Sequence, residues 1–161
     1  MNIINELGEL AIVTRMMRIA EQTRKDVSRI YREHELEFES KWFPVLMVLD
    51  KKPGIGVVEI ADEIGYAHQS VIALVKEMKK QKLVKSSSSK TDGRKKMLSL
   101  TKKAADMIEK FEPLWNDFRA INKIIYNNGS DLLKAIEDTE AALNEEGFYS
   151  RYQKLKTSSM A

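Results

Sequence analysis

The chain has no cysteine, three prolines, seven glycines and two histidines in 161 residues. Without cysteine there is no disulfide scaffold, thiolate metal site, cysteine nucleophile or thiol switch, and that usage fits a reducing cytoplasm. Glycine and proline are too scarce for a disordered or collagen-like chain. His34 and His68 stand apart, with no His-x-x-x-His spacing, so no metal site is expected. The longest apolar run, Val45 to Leu49, falls far short of the roughly 20 residues that cross a bilayer, so no membrane partner is expected. The first residues lack a basic segment followed by an apolar one, which argues against export. Gly54-Ile55-Gly56 lacks the third glycine of a dinucleotide loop, and no G-x-x-x-x-G-K-[ST] loop occurs. Glu33, Glu35, Glu37 and Glu39 alternate along a connector with no sign of a buried carboxylate pair. No catalytic residue and no cofactor is expected, and an enzyme is improbable.

What the chain does have is enough apolar material for a core, 43%, and a segregated charge. The net charge is only +3. Yet residues 65–103 hold eleven Lys or Arg against Glu77 and Asp92 alone, a local balance of +9, while residues 1–64 and 104–161 stand at −3 each. A basic block between acidic arms points to a polyanionic partner.

Periodicity supplies the elements. Ile3 to His34 reads as one long helix with apolar residues near 3.6 spacing, a rod of about 45 Å that outreaches a small domain. Part of its apolar stripe needs a partner. An acidic connector, Glu35 to Glu39, precedes a second helix capped by Ser40, with Pro44 in its first turn and Lys51-Lys52-Pro53-Gly54 as its stop. Gly54 to Val57 leaves room for a very short strand. Val58 to Ile64, closed by Gly65, and Ala67 to Gln81, with Val71, Leu74, Val75 and Met78 on one face, read as a helix-turn-helix.

After Lys82 the period changes to two. Leu83 to Ser87 and Lys95 to Leu100 read as strands around the polar loop Ser88 to Arg94, a hairpin with a basic tip. Thr101 caps a helix through Phe111, Trp115 and Ile125, kinked at Pro113 and stopped by Asn127-Asn128-Gly129. Ser130 caps a last long helix, Gly147 bends the chain, and the tail from Lys156 is expected to fray. The fold expected is mainly α with a small β-hairpin wing, a winged helix-turn-helix with long terminal helices. Its segments are 1–39, 40–103, 104–156 and a disordered 157–161.

The basic block coincides with the second helix of the turn and the hairpin, and duplex DNA explains why such a unit is basic. Lysines such as Lys76, Lys79 and Lys82 neutralise phosphates and release counterions. A recognition helix turns its N-terminal residues to base edges, and here these are His68, Gln69, Ser70 and Ile72. Gln69 has the chemistry for an adenine edge, and Ser70 for several bases. His68 by itself suits a cap or a solvent position equally well.

Several of these residues also carry a family resemblance. Glu59-Ile60-Ala61-Asp62-Glu63-Ile64-Gly65, then Leu83-Val84, Asp92-Gly93-Arg94 and Leu98-Ser99-Leu100-Thr101 resemble the MarR family of bacterial regulators, most clearly over residues 41–104. The N-terminal helix and Trp42-Phe43-Pro44 resemble the subgroup fused to acetyltransferase domains, for which this chain leaves no room. The resemblance implies a homodimer whose terminal helices interdigitate, recognition residues in the major groove, and a wing that enters the minor groove. On the wing it points to Lys90, Asp92, Arg94 and Lys95, with Arg94 held by Asp92; as a plain turn ion pair the two would contribute only about 0–1 kcal/mol. It also implies a possible pocket for a small aromatic or apolar effector at Met16, Trp42, Phe43, Phe111 and Trp115, although aromatics at helical spacing also serve as core.

Three positions depart from the family pattern. Val58 and Ala67 stand where Thr or Ser usually caps a helix, and Ala73 where an Arg often meets DNA. The function expected is a homodimeric repressor on a pseudo-palindromic operator of double-stranded DNA, released by an effector. The competing expectation is a protein-interaction module with a vestigial winged helix.

Overall fold

A computed structural model describes residues 2–88, 95–127 and 129–158. By internal contacts the chain divides into Met1–Ile108 and Glu109–Ala161.

In the first unit the N-terminal rod is interrupted. Helix α1 covers Ile3–Glu6, a 3-10 turn covers Gly8–Ala11, and α2 runs Ile12–Glu33. The single helix expected over Ile3 to His34 fails at Gly8, whose φ of 54° lies in the left-handed region that a helix interior excludes. Arg18 Nη2 donates to Asn5 Oδ1 at 2.8 Å, tying the two pieces together. The α2 C-terminus closes with Glu35 left-handed at φ 54°, the Leu36 amide donating to the Tyr31 carbonyl at 2.9 Å. That reversal brings the acidic connector back onto the helix. Phe38 is buried between Tyr31 and Trp42, edge-to-face with each at centroid distances of 5.1 and 5.9 Å.

A 3-10 turn, Ser40–Trp42, leads into α3, Phe43–Lys51. Ser40 does not cap this helix. Its N-cap is Trp42, no side chain supplies the cap bond, and Pro44 takes the first turn, where its missing N–H leaves no bond unmade. The Ser40 hydroxyl instead lies 3.2 Å from that of Ser28. Helix α4 is Val57–Ile64 and α5 is His68–Lys80. Gly56, not Val58, occupies the α4 N-cap, so Val58 lies inside the first turn, exposed.

Strands β1, Val84–Ser88, and β2, Lys96–Leu100, pair antiparallel with Ser86 opposite Leu98 and Ser88 opposite Lys96. The short strand expected at Gly54 to Val57 is a single bridge. The Gly54 amide donates to Leu98 O and the Leu98 amide donates to Ile55 O, both at 2.8 Å. Leu98 therefore joins hairpin and helices, and it is 1% exposed. Around it lie Val45, Leu46, Leu49, Ile60, Val71, Met78 and Leu83, all buried, each such side chain contributing about 1.5–3 kcal/mol.

Thr101 does cap α6, Lys102–Tyr126, accepting the Ala104 amide at 3.3 Å while its hydroxyl donates to Lys82 O at 2.7 Å. Pro113 lies inside this helix. In the second unit Phe111 and Trp115 are buried and meet edge-to-face at 5.8 Å. Helix α7, Leu132–Glu145, is capped by Asp131, whose Oδ1 accepts the Lys134 amide at 3.0 Å, and not by Ser130. Asp is as strong a cap as Ser and sits one residue nearer the first turn. Helix α8, Phe148–Ser158, extends through residues expected to fray, with Thr157 donating to Gln153 O at 3.0 Å.

Candidate nucleic-acid interface

Helices α4 and α5 are joined by three residues, and Gly65 makes the turn possible. Its φ of 68° lets the Tyr66 amide reach the Ala61 carbonyl at 3.1 Å, after which Ala67, extended at φ −60° and ψ 135°, starts α5. Ala67 offers no cap bond from its side chain; its carbonyl accepts the Ser70 amide at 2.9 Å, and the start of α5 carries the positive end of the helix dipole.

Within α5, Val71, Val75 and Met78 are buried at i, i+4 and i+7. Helical geometry then turns the remaining positions outward: His68, Gln69, Ser70, Ile72, Ala73 and Lys76 are exposed, and Lys79 is half-buried. The five residues expected at the reading end and middle of this helix, His68, Gln69, Ser70, Ile72 and Lys76, thus share solvent access. Ile72 is 40% exposed although apolar. On the hairpin, Lys85, Lys95 and Lys96 are exposed. Lys90, Asp92 and Arg94 lie outside the described residues.

One residue of α5 faces the other way, and the sequence did not single it out. Glu77 Oε2 accepts the Trp42 indole N–H at 3.0 Å and pairs with Lys41 Nζ at 2.7 Å. These hydrogen bonds, Lys41's first, hold its carboxyl below the ordinary carboxylate range. Glu77 is the one acid in the basic run from residue 65 to 91, and it ties α5 to the Ser40–Trp42 turn. Its i+6 spacing from Val71, next to the buried Met78, was the available signal.

The helix ends at a second left-handed residue. Lys82 has φ 59°, and the amides of Lys82 and Leu83 reach the carbonyls of Lys79 and Met78 at 3.0 and 2.9 Å. Glycine is the usual occupant of this position because it has no Cβ to strain.

The residues expected to line an effector pocket are dispersed in environment. Met16 and Phe43 are exposed, whereas Trp42, Phe111 and Trp115 are buried. An open polar cleft of about 390 Å³ lies instead against α2, lined by Glu21, Arg24, Lys25, Ser28, Arg32, Glu39, Ser40 and Lys41. Among the described residues no group of three or more His, Asp or Glu is placed to hold a metal ion, and no helix is long and apolar enough to cross a membrane.

The sequence model of the MarR family matches residues 36–95, the span from the connector through the hairpin. Over that span the chain resembles the MarR family. The MarR fold also extends over the flanking helices. A transcriptional repressor, CouR, bound to a 23-mer DNA duplex, aligns over 84% of this chain and 96% of its own at TM-score 0.67 and 22% identity. A MarR/EmrR family transcriptional regulator from Acinetobacter sp. ADP1 aligns over 90% and 99% at 0.72 and 14%. PcaV from Streptomyces coelicolor, in complex with its natural ligand, aligns over 80% and 90% at 0.59 and 16%. No curated protein matches the chain at a significant level. In this fold α5 is the second helix of the helix-turn-helix and β1–β2 the hairpin that follows it.

Proposed function

We propose that the protein is a homodimeric MarR-type transcriptional regulator that binds a pseudo-palindromic operator in duplex DNA and represses by occupying the promoter. The observation that carries the proposal is the outward face of α5, where burial of Val71, Val75 and Met78 presents Gln69, Ile72 and Lys76 to solvent within the most basic stretch of the chain. In this reading Gln69 pairs with an adenine edge, Ile72 packs on a thymine methyl, and the uncapped start of α5 receives a phosphate. Lys76, Lys79, Lys85, Lys95 and Lys96 supply the salt-dependent part of the affinity. Arg94, beside Asp92, enters the minor groove, and Lys90 meets the backbone. The DNA-bound state of CouR supports the same use of the same fold. The reading assigns no catalytic role.

Dimerisation is supported by apolar side chains that the single chain leaves in water. Leu10, Val13 and Met17 are exposed near the N-terminus, as are Ile124, Leu133 and Leu143 in the second unit. A two-fold dimer places two copies of α5 about one duplex turn apart. An effector that binds one spacing of the two lobes better than the other would release the DNA.

Fluorescence anisotropy with operator selected from random duplexes tests the reading. Binding at about nanomolar concentration with a steep salt slope is expected. No binding at about 50 mM salt would overturn it in favour of a protein-interaction module. A monomer mass in sedimentation at micromolar concentration would overturn the dimer.

A further inference from the structure

Strand β1 has an unusual composition. After Val84 and Lys85 it continues Ser86-Ser87-Ser88, with none of the β-branched or aromatic residues that favour strands, and all three serines are exposed. The strand lies at the sheet edge: its one partner among the described residues is β2, and Ile55 bridges to β2 rather than to β1. An extended edge presents its backbone and side chains to a second protein. Two lysines stand near Ser88 in different ways, one along the strand on its other face and one across the ladder. Lys85 precedes it by three residues, and Lys96 stands directly opposite it across the ladder, where facing Cβ atoms lie about 4.5–5.5 Å apart.

We propose that Ser88 is a phosphorylation site through which a protein serine kinase directed to basic sequences controls the wing. This rests on the DNA-binding reading for its consequence, not for the modification itself. Chemically, the Ser88 hydroxyl oxygen attacks the γ-phosphorus of a nucleoside triphosphate held by the kinase. An O–P bond forms, the bond from the γ-phosphorus to the β,γ-bridging oxygen breaks, and the nucleoside diphosphate leaves with that electron pair. The hydroxyl proton passes to the kinase's carboxylate base. The product carries a charge of about −1.5 to −2. It acts twice on the same surface, repelling DNA phosphates and drawing Lys96 into an ion pair within the hairpin. The strand's serines thus add no charge to the basic wing until a kinase acts.

The test incubates the full chain with ATP and the catalytic subunit of a basic-directed serine kinase, then reads peptide masses and operator affinity. The expected result is one phosphoryl group on Ser88 and none there in Ser88→Ala. Operator Kd should rise about tenfold or more, with a salt slope shallower by about one. Ser88→Asp should weaken binding in the same direction, while the neutral Ser88→Asn should not. No incorporation, or incorporation elsewhere, overturns Ser88 as the site. Phosphorylated Ser88 with unchanged affinity overturns its control of DNA binding. If Ser88 accepts phosphate but the unmodified protein ignores DNA, it is the regulator reading that falls.

Discussion

The winged helix and the terminal helices treat apolar residues in opposite ways. Among the described residues from Phe38 to Ala104, fourteen hydrophobic side chains are buried, whereas α7 and α8 bury none and α2 buries only Tyr31. Both regions are amphipathic, yet among the described residues α7 and α8 leave their apolar faces exposed. A helix whose stripe stays wet is held by intrinsic propensity and local pairs, each contributing about 0.2–0.5 kcal/mol. The core of the first region thus lies within its own span, whereas α7 and α8 leave their apolar side chains exposed.

The largest test of that contrast is a pair of truncations. Leu98→Ala, at the junction of hairpin and helices, should destabilise the protein by about 2–5 kcal/mol in urea unfolding. Leu143→Ala, in a half-exposed position on α7, should change stability by less than about 0.5 kcal/mol at concentrations too low for association. A large effect of Leu143→Ala in dilute protein would erase the difference between the regions.

Next come two left-handed positions inside the first region. Gly65→Ala should cost about 1–2 kcal/mol, because a Cβ at φ 68° strains the turn although no neighbouring atom lies within 4 Å of it. Lys82→Gly should do the reverse, stabilising by up to about 1 kcal/mol while weakening DNA binding and flattening its salt slope. Thermal melts and anisotropy on the same sample would read both; if stability and affinity fell together, Lys82 would be a structural residue.

The smallest effect concerns Glu77. Its folded-state carboxyl is held low by Lys41 and Trp42, so the stabilisation is fully present above the ordinary carboxylate range and is lost as pH falls through the depressed value. Glu77→Gln keeps an acceptor for the indole but loses the ion pair. Its melting point should lie slightly below that of the wild type near neutral pH and converge with it in acid. A gap that persists in acid would mean the pair with Lys41 is not its source.

Much of this was legible beforehand. The buried stripe of α5, the Gly65 turn, the hairpin and the Thr101 cap all follow from spacing or from residue chemistry that acts within a few positions. The exposure of His68, Gln69, Ile72 and Lys76 was legible for the same reason: once Val71, Val75 and Met78 are assigned to the core, those residues have nowhere to point but outward. Less legible were features whose partners are distant in sequence. Phe38 looked like part of a solvated acidic connector until the Glu35 reversal laid it between Tyr31 and Trp42. Glu77 looked like a stray acid in a basic run until folding placed it beside Lys41. Gly8 looked harmless in a helical pattern because one glycine weakens a helix without fixing where it breaks.

By itself, then, the sequence determined the order of elements, the segregation of charge and the exposed face of α5, all set by patterns that a chain expresses locally. Tertiary structure alone decided where the N-terminal rod breaks, that Asp131 and neither Ser40 nor Ser130 supplies a cap, and how Glu77 and Trp42 anchor α5. Those outcomes depend on competition among groups brought together from separate segments, and no local pattern records which of them wins.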